Sequence, residues 1–482
     1  MSPSGTNLEV NRRQFLSENA MGVGMVALAT LLGEENLLAV PKNVQQAPVT
    51  YDMHPRKPHG LPTAKAMISL FQHGGPAHME LMDPKPELTR LDGKTYDGEV
   101  GFSFIKRATK TLKGSSFKFS KHGECGTEIS ELLPGLSSIV DDVCVIRSMH
   151  TGHNGHEVSI RYMNAGIAGV TGRPSLGSWI TYGLGSVSQN LPAYMVLTDP
   201  AGTPVDSTHN WSNGWMPSLF QGTVLRPKEP RILNLAAPAH LQGTVQASNL
   251  SFLNKINRRH LDKHPGEHDL EARIASYELA ARMQDSAREA LDISQETKAT
   301  QQLYGIDQEV TRDYGTRCLI ARRMVERGVR FVQLFHSGQP WDNHTNLINA
   351  LPSACRKTDV PSSGLVKDLK QRGMLDEVLV HWGGEIGRLP VMEGDPKTGG
   401  RDHNGQGFST WLAGGGIQGG MTYGNTDDVG HRAVENIVKP NDYQATVLHL
   451  FGLDHNELYY LHNGQEQKLV VSDARIVNEI IA

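Results

Sequence analysis

Cysteine, net positive charge and long apolar runs are all scarce in this sequence. Only four of its 482 residues are cysteines, and none has CxxC spacing, which excludes a disulfide scaffold and makes a cysteine-ligated zinc site improbable. The formal net charge of -4 leaves no broad basic surface, so nucleic acid is not an expected partner. The apolar run from Met21 to Gly33 is too short for a permanent transmembrane anchor.

The N-terminal region has the order of a twin-arginine export signal. The sequence NRRQFL at Asn11 to Leu16 is followed by the weakly apolar run. We expect residues 1–40 to be a signal segment and residues 41–65 a linker, so that the protein is periplasmic or extracellular after export by the twin-arginine route. The alternatives are a surface helix with two arginines, and an uncleaved segment that tethers the protein to the membrane.

Apolar strands and amphipathic helices alternate along the rest of the chain. The pattern predicts strands at Ala66–Phe71, Val143–Ile146, Phe331–Phe335 and Val378–His381, and helices at Glu128–Asp141, Val158–Asn164 and Pro361–Arg372. Such alternation is typical of βαβ units, so we expect an α/β domain over residues 66–482, with a mainly parallel sheet flanked by helices on both faces. Residues 254–302 have a helical pattern and are expected to be an inserted helical segment.

Carboxylates and histidines follow two of the predicted strands. The stretch DEVLVHWGGEIGR places Glu385 at a strand end, and GRDHNGQ then brings Asp402 and His403. The WDNH tetrapeptide after the strand at 331–335 repeats the arrangement with Asp342 and His344. Oxygen and imidazole ligands on loops at strand ends are typical of hydrolytic sites that use a divalent metal.

The first predicted strand adds one more donor, because it ends in QHGGP at a point where ligands gather in α/β sheets. The candidate metal ligands are therefore His73, Asp342, His344, Glu385, Asp402 and His403. This set is sufficient for one divalent ion, which could be calcium, zinc, manganese or magnesium. The alternative is a hydrogen-bonded network that holds no ion, in which Arg388 pairs with Glu385.

Three histidines occur within seven residues in the segment SMHTGHNGHE, just before the helix predicted at 158–164. His150, His153 and His156 are candidates for general acid or base work, and Thr151 is the nearest hydroxyl. A polar loop whose histidines only cap and hydrogen-bond one another is the alternative.

Taken in order, these segments resemble a known family. The chain looks like the twin-arginine-exported bacterial proteins that share domain of unknown function 1501, and the resemblance is carried by NRRQFL, HGGP, LLPGLSSIVDDVCVIRSMHTGHNGH, LEARIASYELAARMQ, ARRMVERGVRFVQLF, WDNH, RGMLDEVLVHWGGEIGR and GRDHNGQGF. That family resembles the sulfatase and alkaline phosphatase superfamily. The resemblance implies an alkaline phosphatase/sulfatase-like fold and, in active members, a metal site with a nucleophile at a helix N-terminus.

The resemblance also implies roles for individual residues. His156 stands where sulfatases place Cys or Ser, so the usual nucleophile is replaced. Asp342 and His344 look like the superfamily's Asp/His pair, and His403 looks like its late histidine. Arg388 is a candidate anion ligand, since its planar fork matches sulfate or phosphate oxygens.

The activity implied is hydrolysis of a sulfate or phosphate ester on a small molecule or polysaccharide. One alternative is a noncatalytic exported protein that binds polysaccharide through a degenerate site, and another is a structural partner of an envelope protein. The tryptophans Trp211 and Trp215 lie on a polar loop, where they either stack against sugar rings or cover the core.

Overall fold

A computed structural model describes residues 52–103, 108–235, 238, 240, 243–264 and 268–482. The predicted signal segment at residues 1–40 lies outside these residues, as does the part of the predicted linker before residue 52, so the export route stays a prediction. Within the described ranges, no helix combines the length and the apolar character needed to cross a bilayer.

The described residues form both long strands of a central sheet and short strands in the surrounding loops. In chain order they are β1 (Ala66–Phe71), β2 (Ala108–Leu112), β3 (Phe119–His122), β4 (Thr127–Ser130), β5 (Val143–Met149), β6 (Tyr194–Leu197), β7 (Thr223–Leu225), β8 (Phe331–Phe335), β9 (Val378–Gly383), β10 (Gly387–Arg388), β11 (Val391–Glu393), β12 (His403–Asn404), β13 (Phe408–Ala413), β14 (Met421–Tyr423), β15 (Asn425–Thr426), β16 (Ala433–Glu435), β17 (Tyr460–His462) and β18 (Gln465–Gln467).

The α-helices of the described residues range from a single turn to seven turns. In chain order they are α1 (His78–Leu81), α2 (Pro86–Arg90), α3 (Pro134–Ser137), α4 (His156–Ala165), α5 (Leu176–Leu184), α6 (Thr244–Asp262), α7 (His268–Leu291), α8 (Lys298–Leu303), α9 (Glu309–Glu326), α10 (Leu347–Gln371) and α11 (Pro440–Leu450). Three of them, α6, α7 and α8, cover most of the segment predicted as a helical insertion, whose limits as a separate unit stay a prediction.

The central sheet has eight strands in the order β14-β5-β13-β9-β1-β8-β6-β7. β1 pairs in parallel with β8 on one side and with β9 on the other, and β6 and β7 extend the parallel part. β13 is antiparallel to both of its neighbours, β5 and β9. The prediction of a mainly parallel sheet is confirmed, with one antiparallel strand inside it.

The side chains of β1 show that both faces of the sheet are covered. Successive side chains of a strand point to opposite faces. Ile68 and Leu70 belong to an apolar core that also contains buried residues of α9 and α10. Met67 and Phe71 belong to a second core, shared with α4, α5 and α11. Helices therefore flank the sheet on both faces, as predicted.

One predicted helix is wrong. The stretch Glu128–Asp141 contains the end of β4, the single turn of α3 and a 3-10 turn at Val140–Asp142. Pro134 explains why α3 begins where it does, because the residue before a proline is disfavoured in the helical region, and Leu133 has φ of -124° and ψ of 58°. The predicted helix at Pro361–Arg372 is correct in type, but it is only the last part of α10, which contains Pro352 and Pro361 inside it.

The tryptophans Trp211 and Trp215 both pack against other aromatic side chains. Trp211 is buried and its ring packs 5.5 Å from that of Phe335, so it covers the core rather than offering a free face. Trp215 stacks on Tyr460 and His462 at 5.2 and 5.4 Å.

All four cysteines are free thiols, and only Cys125 is exposed.

Candidate functional site

The candidate site lies at the carboxyl ends of three adjacent parallel strands. His73 follows β1, the loop with Asp342 and His344 follows β8, and Glu385 follows β9. Since β1 lies between β8 and β9, the loops after these strands meet at one edge of the sheet. Two further segments join them there, namely the start of α4 with His156 and the loop into β12 with Asp402 and His403.

Glu385 and His156 form a buried pair at the centre of the site. Nδ1 of His156, the first residue of α4, lies 2.6 Å from Oε1 of Glu385. The same oxygen accepts a hydrogen bond of 3.0 Å from the backbone N–H of Gly74. Both side chains are buried, and neither Nε2 of His156 nor Oε2 of Glu385 has a hydrogen-bond partner. The pair therefore presents one nitrogen and one oxygen that a further ligand could use.

Asp342 is the point on which the histidines converge. Its Oδ1 lies 2.9 Å from Nε2 of His344, 3.2 Å from Nε2 of His403 and 3.5 Å from Nε2 of His156. The Nε2 atoms of His344 and His403 are themselves 2.9 Å apart. The side chains of Asp342 and His344 are 19% and 13% exposed, so solvent reaches the cluster from their side.

His344 is held in place by a carboxylate that the sequence analysis missed. Its Nδ1 is hydrogen-bonded to Oε2 of Glu393, a buried residue at the end of β11. The arrangement repeats that of His156 and Glu385, in which a glutamate holds Nδ1 and leaves Nε2 facing Asp342. Of His344 and Glu393, only His344 had a sequence signal, the WDNH motif. Glu393 lies in the Gly-rich gap between DEVLVHWGGEIGR and GRDHNGQ, where the sequence has no periodic pattern.

Asp402 reaches the cluster but also orders two loops. Its Oδ1 accepts from the backbone N–H of His403 and its Oδ2 from that of Ser103, both at 2.7 Å. Two overlapping groups of three side chains could each hold a metal ion, because their ligand atoms lie within 4.8 Å of one another. The first group is His156, Asp342 and His403, and the second is His344, Asp402 and His403. His403 belongs to both sets, so it links the two halves of the site.

Arg388 pairs with Asp342 and not with Glu385, which differs from the predicted network. Its Nη2 donates to Oδ1 of Asp342 and to the carbonyl of Gly74. Its Nε donates to the carbonyl of Gly75 at 3.0 Å, and its Nη1 donates to that of Arg401 at 3.1 Å. The guanidinium is fully buried. The fork that was expected to bind an anion thus binds three main-chain carbonyls and one carboxylate.

His73 is buried beside the cluster without a hydrogen bond from either ring nitrogen. Its ring lies 4.7 Å from that of Phe71 and 5.3 Å from that of Phe335. Burial lowers the pKa of His73 to about 4, although the negative charge of Glu385 opposes this shift. His73 is therefore a neutral imidazole with two unused nitrogens at the rim of the site.

The other three residues of the histidine segment bind the main chain or pack on a neighbouring ring. Nδ1 of His150 lies 3.1 Å from the carbonyl of Gln406. The hydroxyl of Thr151 lies 3.2 Å from the carbonyl of His153 and 3.4 Å from that of Gly405. The ring of His153 is exposed and packs edge-on against Tyr162 at 6.4 Å. Among the four candidates in this segment, His156 alone is shown in contact with Asp342 and Glu385.

The contacts shift the pKa values of the central groups in opposite directions. Burial would lower the pKa of His156, but Asp342 and Glu385 outweigh it and raise the pKa to about 9. Burial opposes ionisation of Asp342, yet the three histidines whose Nε2 atoms lie 2.9 to 3.5 Å from its Oδ1 hold its pKa well below the usual range. Burial lowers the pKa of His403, whereas Asp342 raises that of His344 against the effect of burial. These shifts favour a protonated His156 beside an ionised Asp342.

The fold and the cluster together define an α/β protein with a histidine and carboxylate site at the carboxyl edge of a mainly parallel sheet. The chain belongs to the DUF1501 family, described as proteins of unknown function, whose sequence model matches residues 64–481. Among curated proteins, none matches the sequence.

Several solved structures are similar to this chain. A sulfatase from Pseudoalteromonas sp. has 12% identity and a TM-score of 0.35, with 89% of this chain and 70% of that chain covered. A lipoteichoic acid synthase from Listeria monocytogenes has 8% identity and a TM-score of 0.34, with 85% and 75% covered. A phosphonate monoester hydrolase from Silicibacter pomeroyi has 10% identity and a TM-score of 0.34, with 72% and 71% covered. These similarities assign no activity to this chain.

Proposed function

We propose that the protein is a metal-dependent hydrolase of a sulfate or phosphate ester, which acts on a small molecule or a polysaccharide after export by the twin-arginine route. One observation carries the proposal. Two histidines, His156 and His344, are each held at Nδ1 by a buried glutamate and aim Nε2 at the same oxygen of Asp342. Carboxylates that bind the second nitrogen of a histidine are typical of histidines that ligate a metal.

The residues present fit a divalent ion. Asp342, His344 and His403 offer an oxygen and two nitrogens at mutual distances of 2.9 to 3.2 Å, and the buried Nε2 of His156 has no hydrogen-bond partner. A set with several imidazoles favours zinc over calcium, magnesium and manganese, which prefer oxygen ligands. Glu385, proposed from the sequence as a ligand, instead holds His156 in the orientation that ligation requires.

A divalent ion at this centre would polarise the ester and lower the pKa of a bound water. Around it, the protein's own groups have defined tasks. Glu385 fixes the ring of His156, and Glu393 fixes that of His344. Arg388 holds Asp342 against the turn after β1 and neutralises part of its charge. The proton on His156 must leave when Nε2 takes up a cation, so binding should weaken as the pH falls.

Water is the nucleophile that best fits these contacts. The hydroxyl of Thr151, the nearest candidate in the sequence, is within hydrogen-bond distance of two main-chain carbonyls. His156 is the residue that replaces the expected Cys or Ser, and its Nδ1 is bound to Glu385. Hydrolysis by an activated water needs neither a hydroxyl nor a thiol at that position.

The second candidate function is a noncatalytic binding protein for an anionic polysaccharide, or a structural partner of another envelope protein. The hydrogen bonds of Arg388 favour this second candidate. Its guanidinium already binds three carbonyls and Asp342, so it is not available to a substrate anion. The two candidate functions differ in whether an ester is cleaved when metal is present.

The test combines metal content with turnover. Full-length protein purified without chelator should contain about one equivalent of divalent metal and cleave 4-nitrophenyl phosphate, its diester or its sulfate. The variant Asp342→Asn/His403→Ala should lose both, whereas Asp376→Asn/His209→Ala, which changes two exposed residues outside the site, should keep both. Metal without turnover on any ester would favour the binding protein. A folded wild type that takes up no metal would rule out the metallohydrolase.

A further inference from the structure

The helix α6 carries a row of apolar side chains on its exposed side, which is unusual for a helix that packs only on its own protein. None of its residues from Thr244 to Asp262 is buried. Its partly covered residues are mostly polar and share one face, which consists of Gln246, Leu250, Asn254, Asn257 and Leu261. On that face, Nε2 of Gln246 donates to Oε1 of Gln284 of α7 at 2.6 Å. The side of α6 that meets α7 is therefore the more polar one.

The opposite side, which we call the outer face of α6, is apolar and basic. Val245, Phe252 and Ile256 follow one another at helical spacing and are 45%, 66% and 45% exposed. Lys255 and Arg259 lie beside this row and are also exposed. A surface helix gains most of its stability by packing its apolar face. An apolar row that faces outward thus indicates a contact outside the described chain.

The charge of α6 indicates the nature of that contact. Its charged residues are the basic Lys255, Arg258 and Arg259 and one acidic residue, Asp262, at its last position. A chain with a net charge of -4 therefore presents one long helical stretch whose charge is mainly positive. Such a stretch is complementary to a negatively charged surface.

We propose that the outer face of α6 docks the protein on an anionic phospholipid bilayer. Phe252 and Ile256 would enter the boundary between headgroups and acyl chains, while Lys255 and Arg259 reach the headgroup phosphates along their alkyl stems. A second copy of the chain fits less well, because two outer faces would bring basic residues together. The helix lies in the interface plane and does not cross the bilayer, in keeping with its many polar residues. The proposal is independent of the hydrolase proposal.

The test measures co-sedimentation of the full chain with sucrose-loaded vesicles. Vesicles of phosphatidylcholine with about 30% phosphatidylglycerol should bind the wild type at least about tenfold more tightly than pure phosphatidylcholine vesicles. Lys255→Gln/Arg259→Gln should weaken binding about 25-fold, at about fivefold per charge. Phe252→Ser/Ile256→Ser should weaken it at least about tenfold through lost apolar burial. All these side chains are exposed, so thermal melting should show that the variants fold.

Matched controls come from exposed residues elsewhere. Val187→Ser/Val434→Ser and Lys118→Gln/Lys121→Gln remove the same kinds of side chain and should leave vesicle binding unchanged. Equal binding to both vesicle types, no binding to either, or the same loss in the controls would overturn the proposal. So would a dimer in vesicle-free solution that the Phe252→Ser/Ile256→Ser variant abolishes, because it would assign the outer face to a second copy.

Discussion

At the scale of single residues, the site depends on which nitrogen of each histidine is available. An imidazole has two nitrogens, and the one bound by a carboxylate determines which one the ring presents to a metal or a substrate. Glu385 and Glu393 make this choice for His156 and His344, so that both rings present Nε2 to Asp342. The two glutamates thus matter for function although the proposal makes neither a ligand.

Glu393→Gln should weaken metal binding about 10- to 100-fold, the usual effect of losing a carboxylate that supports a metal-binding histidine. The amide has nearly the same shape as the carboxylate but lacks the charge that orients His344 and raises its basicity. Titration of metal-stripped protein with zinc or manganese would measure the change. Glu377→Gln, at an exposed surface position, is the control. Unchanged affinity in Glu393→Gln would show that His344 is not a ligand.

The sequence predicted the residues that meet in the cluster better than the contacts that hold them. Asp342, His344, Glu385, Asp402 and His403 stand out because each follows an apolar strand or sits in a compact motif. Some of their partners are long-range contacts, which depend on how loops far apart in sequence approach each other. Glu393 and the pairing of Arg388 with Asp342 are contacts of this kind, and no local pattern encodes them.

At the scale of structural elements, β10 is fastened to the turn after β1 by a single side chain. Arg388 donates to the carbonyls of Gly74 and Gly75 in that turn, and to the carbonyl of Arg401 before β12. All three carbonyls belong to buried residues. A buried carbonyl that loses its donor keeps its full desolvation cost. Arg388 therefore joins three segments that carry site residues.

Arg388→Ala should lower the free energy of unfolding by about 3 to 5 kcal/mol, because it leaves three buried carbonyls without their donor and removes the positive charge beside Asp342. Arg388→Lys should recover little of this, since an ammonium lacks the planar fork. Urea unfolding would measure both. If Arg388 instead bound the substrate, stability would stay near that of the wild type while KM for the ester rose.

The turn after β1 also approaches the loop of Asp342 closely. Gly74 has φ of +106°, and a Cβ added there would lie 2.6 Å from the backbone nitrogen of Asp342. Gly74→Ala should therefore cost about 1 to 3 kcal/mol in backbone strain and, in addition, displace Asp342 and reduce metal content. Gly373→Ala has a positive φ of +65° but meets nothing within 4 Å, so it should cost only the strain. Equal metal content in the two variants would contradict the role of this contact.

Elements of regular pattern were predictable, and irregular ones were not. The limits of β1 and β8 match their predicted ranges, because buried parallel strands are short continuous apolar runs. The leucines after β4 have helical spacing and predict a helix, although Leu133 is not helical and Pro134 begins the single turn of α3. The direction of the antiparallel strand β13 depends on the loops around it rather than on its own residues.

At the scale of the whole molecule, several buried histidines make stability depend on pH. Burial lowers the pKa of His381 to about 3, whereas an unperturbed histidine has a pKa of 6.5. Burial also lowers the pKa values of His78 and His336. Between the lowered and the unperturbed pKa values, the unfolded chain binds more protons than the native protein. The stability contributed by these groups is therefore full above pH 6.5 and declines as the pH falls below it.

His381→Asn should reduce this acid sensitivity. The free energy of unfolding of the wild type should fall between about pH 6.5 and about pH 4.5, and the variant should lose on the order of 1 kcal/mol less per pH unit. Urea unfolding at several pH values in this range would give both slopes. His209→Asn, at an exposed position, serves as the control. Parallel slopes for His381→Asn and the wild type would show that His381 is not buried in its neutral form.

The order of strands in the sheet has a consequence for synthesis on the ribosome. β1 is made first among the strands of the sheet, but its neighbours β8 and β9 begin at Phe331 and Val378. His403 is made later still. A nascent chain thus carries the apolar strand β1 without its neighbours until β8 has been made, and the donor residues of the cluster cannot meet before His403 has been made. The unpaired edges of such a strand can pair with other chains, so aggregation competes with folding during this interval.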